Sequence, residues 1–232
     1  WLRSDGLTVG YDGPPSVVPA SNADEASFPR QIIALAPDPD SLPQTPKECA
    51  HFIQLAEVAG FADAGPATRK RALLTHLEGA PYAWAHVAGH GKFDDGAPDA
   101  GADLVLAQRD TLAPEHLMGP EILGHIHATR PGFFFNACDS GRQAWTISRL
   151  GGWANRLIGS GAGLFIAPMW PVDDRAAHDF AVAFYTALFA GATVADASQM
   201  GREAARQTGD PSWLAYSVYA HPNARLAFPQ PA

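Results

Sequence analysis

The sequence predicts an α/β fold, a mostly parallel sheet with helices on both faces. Short apolar runs alternate with helical patterns along the chain. Each run is continuously apolar rather than alternating, as a strand buried on both faces must be. No internal repeat or low-complexity segment interrupts the pattern, so one domain is expected.

Residues 1–30 read as an N-terminal strand-and-loop segment, rich in Pro, Gly, Ser and Asp, with one strand-like piece at Leu7-Thr8-Val9. Residues 31–232 form the body of the domain. Gln31 to Ala36 is an apolar strand ending in a Pro/Asp loop. Thr45-Pro46-Lys47-Glu48 fits a capping box with Pro at the first helical position. The helix it opens carries Cys49, Phe52, Ile53 and Ala56 on one face and stops at Gly60. A second helix, Thr68 to Glu78, turns Leu73, Leu74 and Leu77 inward. Tyr82 to Val87 is a strand running into Gly89-His90-Gly91. A polar, Gly-rich loop, Asp94 to Ala102, leads to a strand at Leu104-Val105-Leu106. Pro114 to His127 is helical but broken at Gly119-Pro120. Gly132 to Ala137 is the most apolar strand and ends on Cys138. A helix near Gly152 to Ile158, a strand Leu164 to Ala167 and two further helices complete the set. Asp173 caps the first of those helices, with Phe180, Phe184 and Leu188 at a spacing of four, and Thr193 opens the second.

Composition narrows the function. The chain has 232 residues, long enough for a substantial core, and 47% are hydrophobic, which argues against disorder. The formal net charge is -8, and the single compact basic run, Arg69-Lys70-Arg71, lies in a helical pattern and reads as a solvated face. A nucleic-acid partner is therefore disfavoured. No apolar stretch approaches the ~20 residues that would span a bilayer. Two cysteines in a chain of this length do not make a disulfide framework, so a reduced, cytoplasmic setting is the simplest expectation. The chain opens at Trp1 with no signal-peptide pattern; without an initiating Met it reads as an excerpt or a processed product.

In open α/β sheets, sites gather at the carboxyl ends of strands. Two strands here end on reactive side chains: His90 inside Gly-His-Gly, and Cys138 inside Asn-Ala-Cys-Asp-Ser-Gly. If the strands are neighbours, both side chains reach the same edge. They lie 48 residues apart, matching the upstream histidine about 50 residues before the caspase cysteine. A free thiol with a pKa of ~8.5 is largely protonated at neutral pH, so an adjacent imidazole generates the nucleophile. Gly91 and Cys138 can offer backbone N–H groups to an oxyanion. No carboxylate sits where it would orient His90, so the pair reads as a dyad steered by a backbone carbonyl.

The chain resembles the CHAT domain, a caspase-like cysteine peptidase domain often found beside TPR repeats in bacterial proteins. The resemblance rests on Trp84-Ala85-His86-Val87-Ala88-Gly89-His90-Gly91 and Phe134-Phe135-Asn136-Ala137-Cys138-Asp139-Ser140-Gly141. Met169 to Asp174, Phe184 to Leu188 and Trp213 to Tyr219 follow in family order, so the likeness covers roughly Leu7 to Phe228. It implies a caspase–hemoglobinase-like three-layer sandwich and endopeptidase activity carried by His90 and Cys138, with no cofactor or metal required. It also implies a protein substrate, a bacterial defence or stress setting such as gasdermin activation, and an upstream sensor or TPR module as partner. Family members usually carry a further segment ahead of the point where this chain starts. Similarity of Asp173-Asp174-Arg175-Ala176-Ala177-His178-Asp179 to a metacaspase segment implies an acidic pocket that receives arginine or lysine, with Trp170 and Asp139 as further wall candidates. Helix capping is the equal alternative for Asp173.

Other candidates read as structural. Cys49 lies on the apolar stripe of its helix. His86 and His90 are four apart on a strand, roughly 13 Å, too far for a metal pair. His125 and His127 lack companions. Gly159-Ser160-Gly161-Ala162-Gly163 lacks the Gly-Lys-Ser/Thr of a phosphate loop and reads as a tight turn. Phe180, Phe184 and Phe189 read as core packing. Two rivals to the peptidase stay open: a latent protein-interaction scaffold, and a Cys-His amidohydrolase, which usually places its cysteine before its histidine.

Overall fold

The computed structural model describes residues 2–3, 29–92, 103–139 and 151–228; at Leu2, Arg3, Lys92, Cys138, Asp139, Gly151 and Gly152 only the backbone is described. Its elements in chain order are β1 (Leu2–Arg3), β2 (Gln31–Leu35), α1 (Thr45–Val58), β3 (Ala62–Asp63), α2 (Lys70–Gly79), β4 (Tyr82–Lys92), β5 (Asp103–Val105), β6 (Thr111–Leu112), α3 (Pro120–Thr129), β7 (Gly132–Asp139), α4 (Gly151–Gly159), β8 (Leu164–Pro168), α5 (Asp174–Phe189), α6 (Val194–Arg206), β9 (Tyr216–Ala220) and β10 (Arg225–Leu226). The strand expected at Leu7-Thr8-Val9 and the loop at Asp94 to Ala102 lie outside the described residues.

The main sheet has the order β3-β2-β4-β7-β8-β9, with β5 pairing β4 and β6 pairing β5. Its centre is parallel, from β3 through β2, β4 and β7 to β8; β9 closes one edge antiparallel to β8. Beyond Val87, where β2 ends, β5 pairs with β4 antiparallel. Each face of the sheet carries its own core. On one, Phe52 of α1, Phe180 and Tyr185 of α5 and Ala197 of α6 pack on Trp84 and Phe134. On the other, Leu73 of α2, Ile126 of α3 and Trp153 of α4 pack on Val87, Phe133 and Phe135. The continuous run Phe133-Phe134-Phe135 thus serves both layers, as a strand covered on both faces requires. This is the three-layer α/β architecture read from the sequence.

The Gly119-Pro120 break is present: a 3₁₀ turn at Pro114–Leu117 ends before α3 starts on Pro120. Gly60 stands just past α1 with φ 87°, a left-handed conformation suited to glycine. The capping box is corrected. Gln44 is the N-cap of α1 and makes no side-chain cap bond, while the Thr45 hydroxyl donates to Leu42 O at 2.8 Å. The turn before the helix already follows a helical path, and Glu48 points inward at 1% exposure. A carboxylate turned inward needs partners, and those partners build the site. Five short strands among the described residues went unread: β1, β3, β6, β9 and β10.

Candidate active site

The two strands that carry the candidate residues near their carboxyl ends are neighbours, β4 running two residues past His90 and β7 one past Cys138. In the parallel β4–β7 pairing, His90 lies opposite Cys138 and Gly91 opposite Asp139. Because side chains alternate along a strand, position 138 shares a face with Phe134 and Asn136, as position 90 does with His86. The register is fixed at the other end by Gly132 opposite Trp84. A Cβ on Gly132 would fall 2.4 Å from the Trp84 ring, so only glycine allows this pairing. Gly91 is flanked by Leu104 of β5 on one side and Asp139 of β7 on the other.

His90 is held from the loop after β2. Its Nε2 is 2.8 Å from Ser41 Oγ, and the Ser41 hydroxyl donates to Asp38 Oδ2 at 2.6 Å. Asp38 Oδ2 stands 3.7 Å from the same ring nitrogen. This arrangement replaces the expected backbone carbonyl: a hydroxyl and a carboxylate orient the ring. The other nitrogen, Nδ1, is buried and has no hydrogen-bond partner among the described residues. Gly89 explains how the loop comes so close, since Pro37 Cδ lies 3.3 Å from where a Cβ would stand.

Behind His90 runs a buried polar chain that sequence reasoning missed. Trp84 Nε1–H donates to Tyr185 Oη (2.9 Å), and Tyr185 Oη pairs with His86 Nδ1 (2.9 Å). His86 Nε2 pairs with Glu48 Oε1 (3.0 Å). An indole N–H can only donate, which leaves the tyrosine O–H for Nδ1 and the Nε2 proton for the carboxylate. Asn136 Nδ2 donates to both Glu48 oxygens, at 2.9 and 3.0 Å, while Tyr216 donates to Asn136 Oδ1 (2.7 Å). Every donor therefore has an acceptor, which makes a wholly buried carboxylate tolerable. A carboxylate on the apolar stripe beside Cys49 and Phe52 was the available signal in the sequence.

A cleft of about 80 Å³ opens beside His90, lined also by Glu48, Asn136, Asp174, Val172 and Pro171. The two acidic pocket candidates part company here. Asp173 is the N-cap of α5 and accepts from Arg175 N and Ala176 N, both at 3.0 Å. Asp174 lines the cleft, and its Oδ2 accepts from Gln44 N at 3.1 Å. Burial pushes the Asp174 carboxyl above its ordinary range; Glu48 and Asp173 add to this, and the Gln44 N–H opposes it. Trp170 is half-buried at the bend between β8 and α5 and does not line the cleft. Asp139 is placed by its backbone, opposite Gly91. Cys49 is a buried free thiol whose desolvation raises its pKa, the inert environment expected of a core cysteine.

Among the described residues no group of three or more His, Cys, Asp or Glu side chains could hold a metal ion, and no helix is long and apolar enough to cross a membrane.

Solved structures share this fold. The Arg-specific cysteine proteinase gingipain R matches with a TM-score of 0.59 at 10% identity, over 88% of this chain and 49% of that one. A complex of the Porphyromonas gingivalis RgpB pro- and mature domains matches at 0.57 and 10% identity, over 86% and 49%. The Drosophila initiator caspase Dronc matches at 0.51 and 9% identity, over 86% and 82%. The chain thus spans about half the length of the gingipain chains it matches. No curated protein matches it in sequence. The likeness to these structures establishes a caspase-like cysteine peptidase fold. A model of the CHAT domain matches residues 15–225, taking in both strands that carry His90 and Cys138, and by that match the chain belongs to the CHAT domain family.

Proposed function

We propose that this chain is a cysteine endopeptidase working through a His90–Cys138 dyad. The observation that carries the reading is the pairing of the two residues on adjacent parallel strands, with one buried nitrogen of His90 left without a described partner. In the reaction His90 takes the thiol proton, and the Cys138 sulfur attacks the scissile carbonyl. The backbone N–H groups of Gly91 and Cys138 hold the resulting oxyanion. Collapse breaks the C–N bond as His90 returns the proton to the amine, leaving a thioester. Water, deprotonated by His90, then releases the acid. The support for both oxyanion donors is their position at the carboxyl ends of central strands.

The substrate is a protein cleaved after a basic residue. Asp174 puts a carboxylate on the cleft beside His90, complementary to arginine or lysine, while the Glu48 carboxylate is already held by His86 and Asn136. Asp173 is spent on its helix, so the pocket role falls to Asp174. A bacterial defence setting with gasdermin as the target, and a sensor or TPR module as activator, follow from the family alone.

The test is cleavage of a fluorogenic peptide library that varies the residue before the scissile bond, run beside Cys138→Ala. Turnover lost in the variant, with Arg or Lys preferred in the parent, is the expected result. Full activity in Cys138→Ala would sink the dyad, and equal cleavage after Asp would sink the acidic pocket. No cleavage at all, together with Cys138 no more reactive to alkylation than Cys49, would favour the protein-binding scaffold.

A further inference from the structure

We propose that Asp38 and Ser41 form a positioning relay that fixes His90 in the tautomer with its proton on Nε2, leaving Nδ1 as the basic nitrogen. The inference rests on His90 being the base of the peptidase reading, and it assigns roles to two residues outside the dyad.

Ser41 has one hydroxyl hydrogen, and it is directed to Asp38 Oδ2, 2.6 Å away. Its oxygen can then only accept from His90 Nε2, 2.8 Å away. A neutral imidazole that donates through Nε2 carries its lone pair on Nδ1. That nitrogen is the buried one without a described partner, on the ring whose strand position faces Cys138. The lone pair therefore lies on a ring at the strand position paired with position 138, and the Nε2 edge of the ring is held.

Magnitudes decide what the relay does. The Asp38 side chain is 48% exposed and 3.7 Å from Nε2, so water screens most of its attraction for an imidazolium. Direct charge stabilisation is the minor effect. The larger one is orientation: without an acceptor at Nε2 the ring is free to exchange tautomers or rotate, and every molecule carrying its proton on Nδ1 is inactive as a base. Pro37, whose Cδ lies 3.3 Å from where a Cβ on residue 89 would stand, packs close over Gly89 in the loop that brings both relay residues to the ring.

Two readouts test this. The first is a long-range proton–nitrogen correlation spectrum of histidine-labelled protein, with His90 assigned by loss of its signals in His90→Gln. The neutral ring should be protonated on Nε2 in the parent and in Ser41→Thr, and should become a tautomer mixture in Ser41→Ala. The second is peptide cleavage: Ser41→Ala and Asp38→Ala should lower kcat on the order of tenfold to a hundredfold with KM little changed, as loss of a histidine's outer partner does. Ser41→Thr should restore most of it. An unchanged tautomer and unchanged kcat in Ser41→Ala would overturn the relay while leaving the dyad intact. Conversely, a tautomer that depends on Ser41 in a chain that cleaves no peptide would uphold the relay and count against the peptidase.

Discussion

Adjacent aspartates at the start of α5 show how far one position decides the role of a side chain. Asp173 faces back along the helix and satisfies two N–H groups, whereas Asp174 turns to the cleft. Asp173→Ala should cost about 1 kcal/mol of stability, the usual worth of a cap, and leave cleavage preference unchanged. Asp174→Asn should do the reverse, reducing the preference for Arg and Lys roughly tenfold with little effect on unfolding, since losing one partly screened charge is worth about one pKa unit of interaction. Acidification should mimic it. Burial raises the Asp174 pKa above 3.8, so its charge is lost at a higher pH than an ordinary aspartate's. Basic preference in the parent should therefore fade on the acid side while Asp174→Asn stays flat. The linked stability has the opposite sense: the folded chain holds this proton more tightly, so the contribution is full below 3.8 and is lost as pH rises through the raised value. A parent and variant with identical pH profiles of preference would remove Asp174 from the pocket. The juxtaposition of positions 90 and 138 was legible because two strand ends and a spacing point to it. Ser41 and Asp38 were not, because a Pro/Asp loop carries no periodicity to show which side chain meets the ring.

At the scale of elements, the β4–β7 pair determines whether a site exists. A one-residue slip would move Cys138 to the opposite face of the sheet. The contact of Gly132 with Trp84 prevents this at the far end, and Gly132→Ala, forcing a methyl to 2.4 Å from the indole, should cost about 1–3 kcal/mol as overpacking does. A lower urea midpoint at an unchanged slope would be the expected record. A midpoint equal to the parent's would mean that Trp84 moves aside freely. Helix α1 carries the complementary lesson. Its pattern was read correctly as a helix, with Cys49, Phe52 and Ala56 inward, yet Glu48 was given to the cap. Local capping rules and burial competed for the same carboxylate, and the hydrogen bonds offered by His86 and Asn136 won.

Across the whole molecule, two helical layers share one sheet, and strands β4 and β7 feed side chains to both. Neither layer can leave without uncovering apolar surface on the other's support. The near-ultraviolet signal of the aromatic layer around Trp84, Tyr185 and Phe134 should therefore fall together with the far-ultraviolet signal on heating. Separate transitions would show that the layers unfold independently. The sheet's order is what the sequence least revealed: alternation of elements predicts parallel pairing, but the two-residue edge strand β3 and the antiparallel β9 give too little pattern to place them.

The separation between His90 and Cys138 has a kinetic meaning. Parallel neighbours joined through 48 residues are among the late contacts to form, since a large loop must close before its pairing is rewarded. On a ribosome, β4 emerges well before β7, and Gly132 must dock on Trp84 before the two reactive positions stand side by side. A nascent or partly folded chain therefore carries a histidine and a cysteine whose strand positions have not met, and the proposed chemistry would arrive only with the finished sheet.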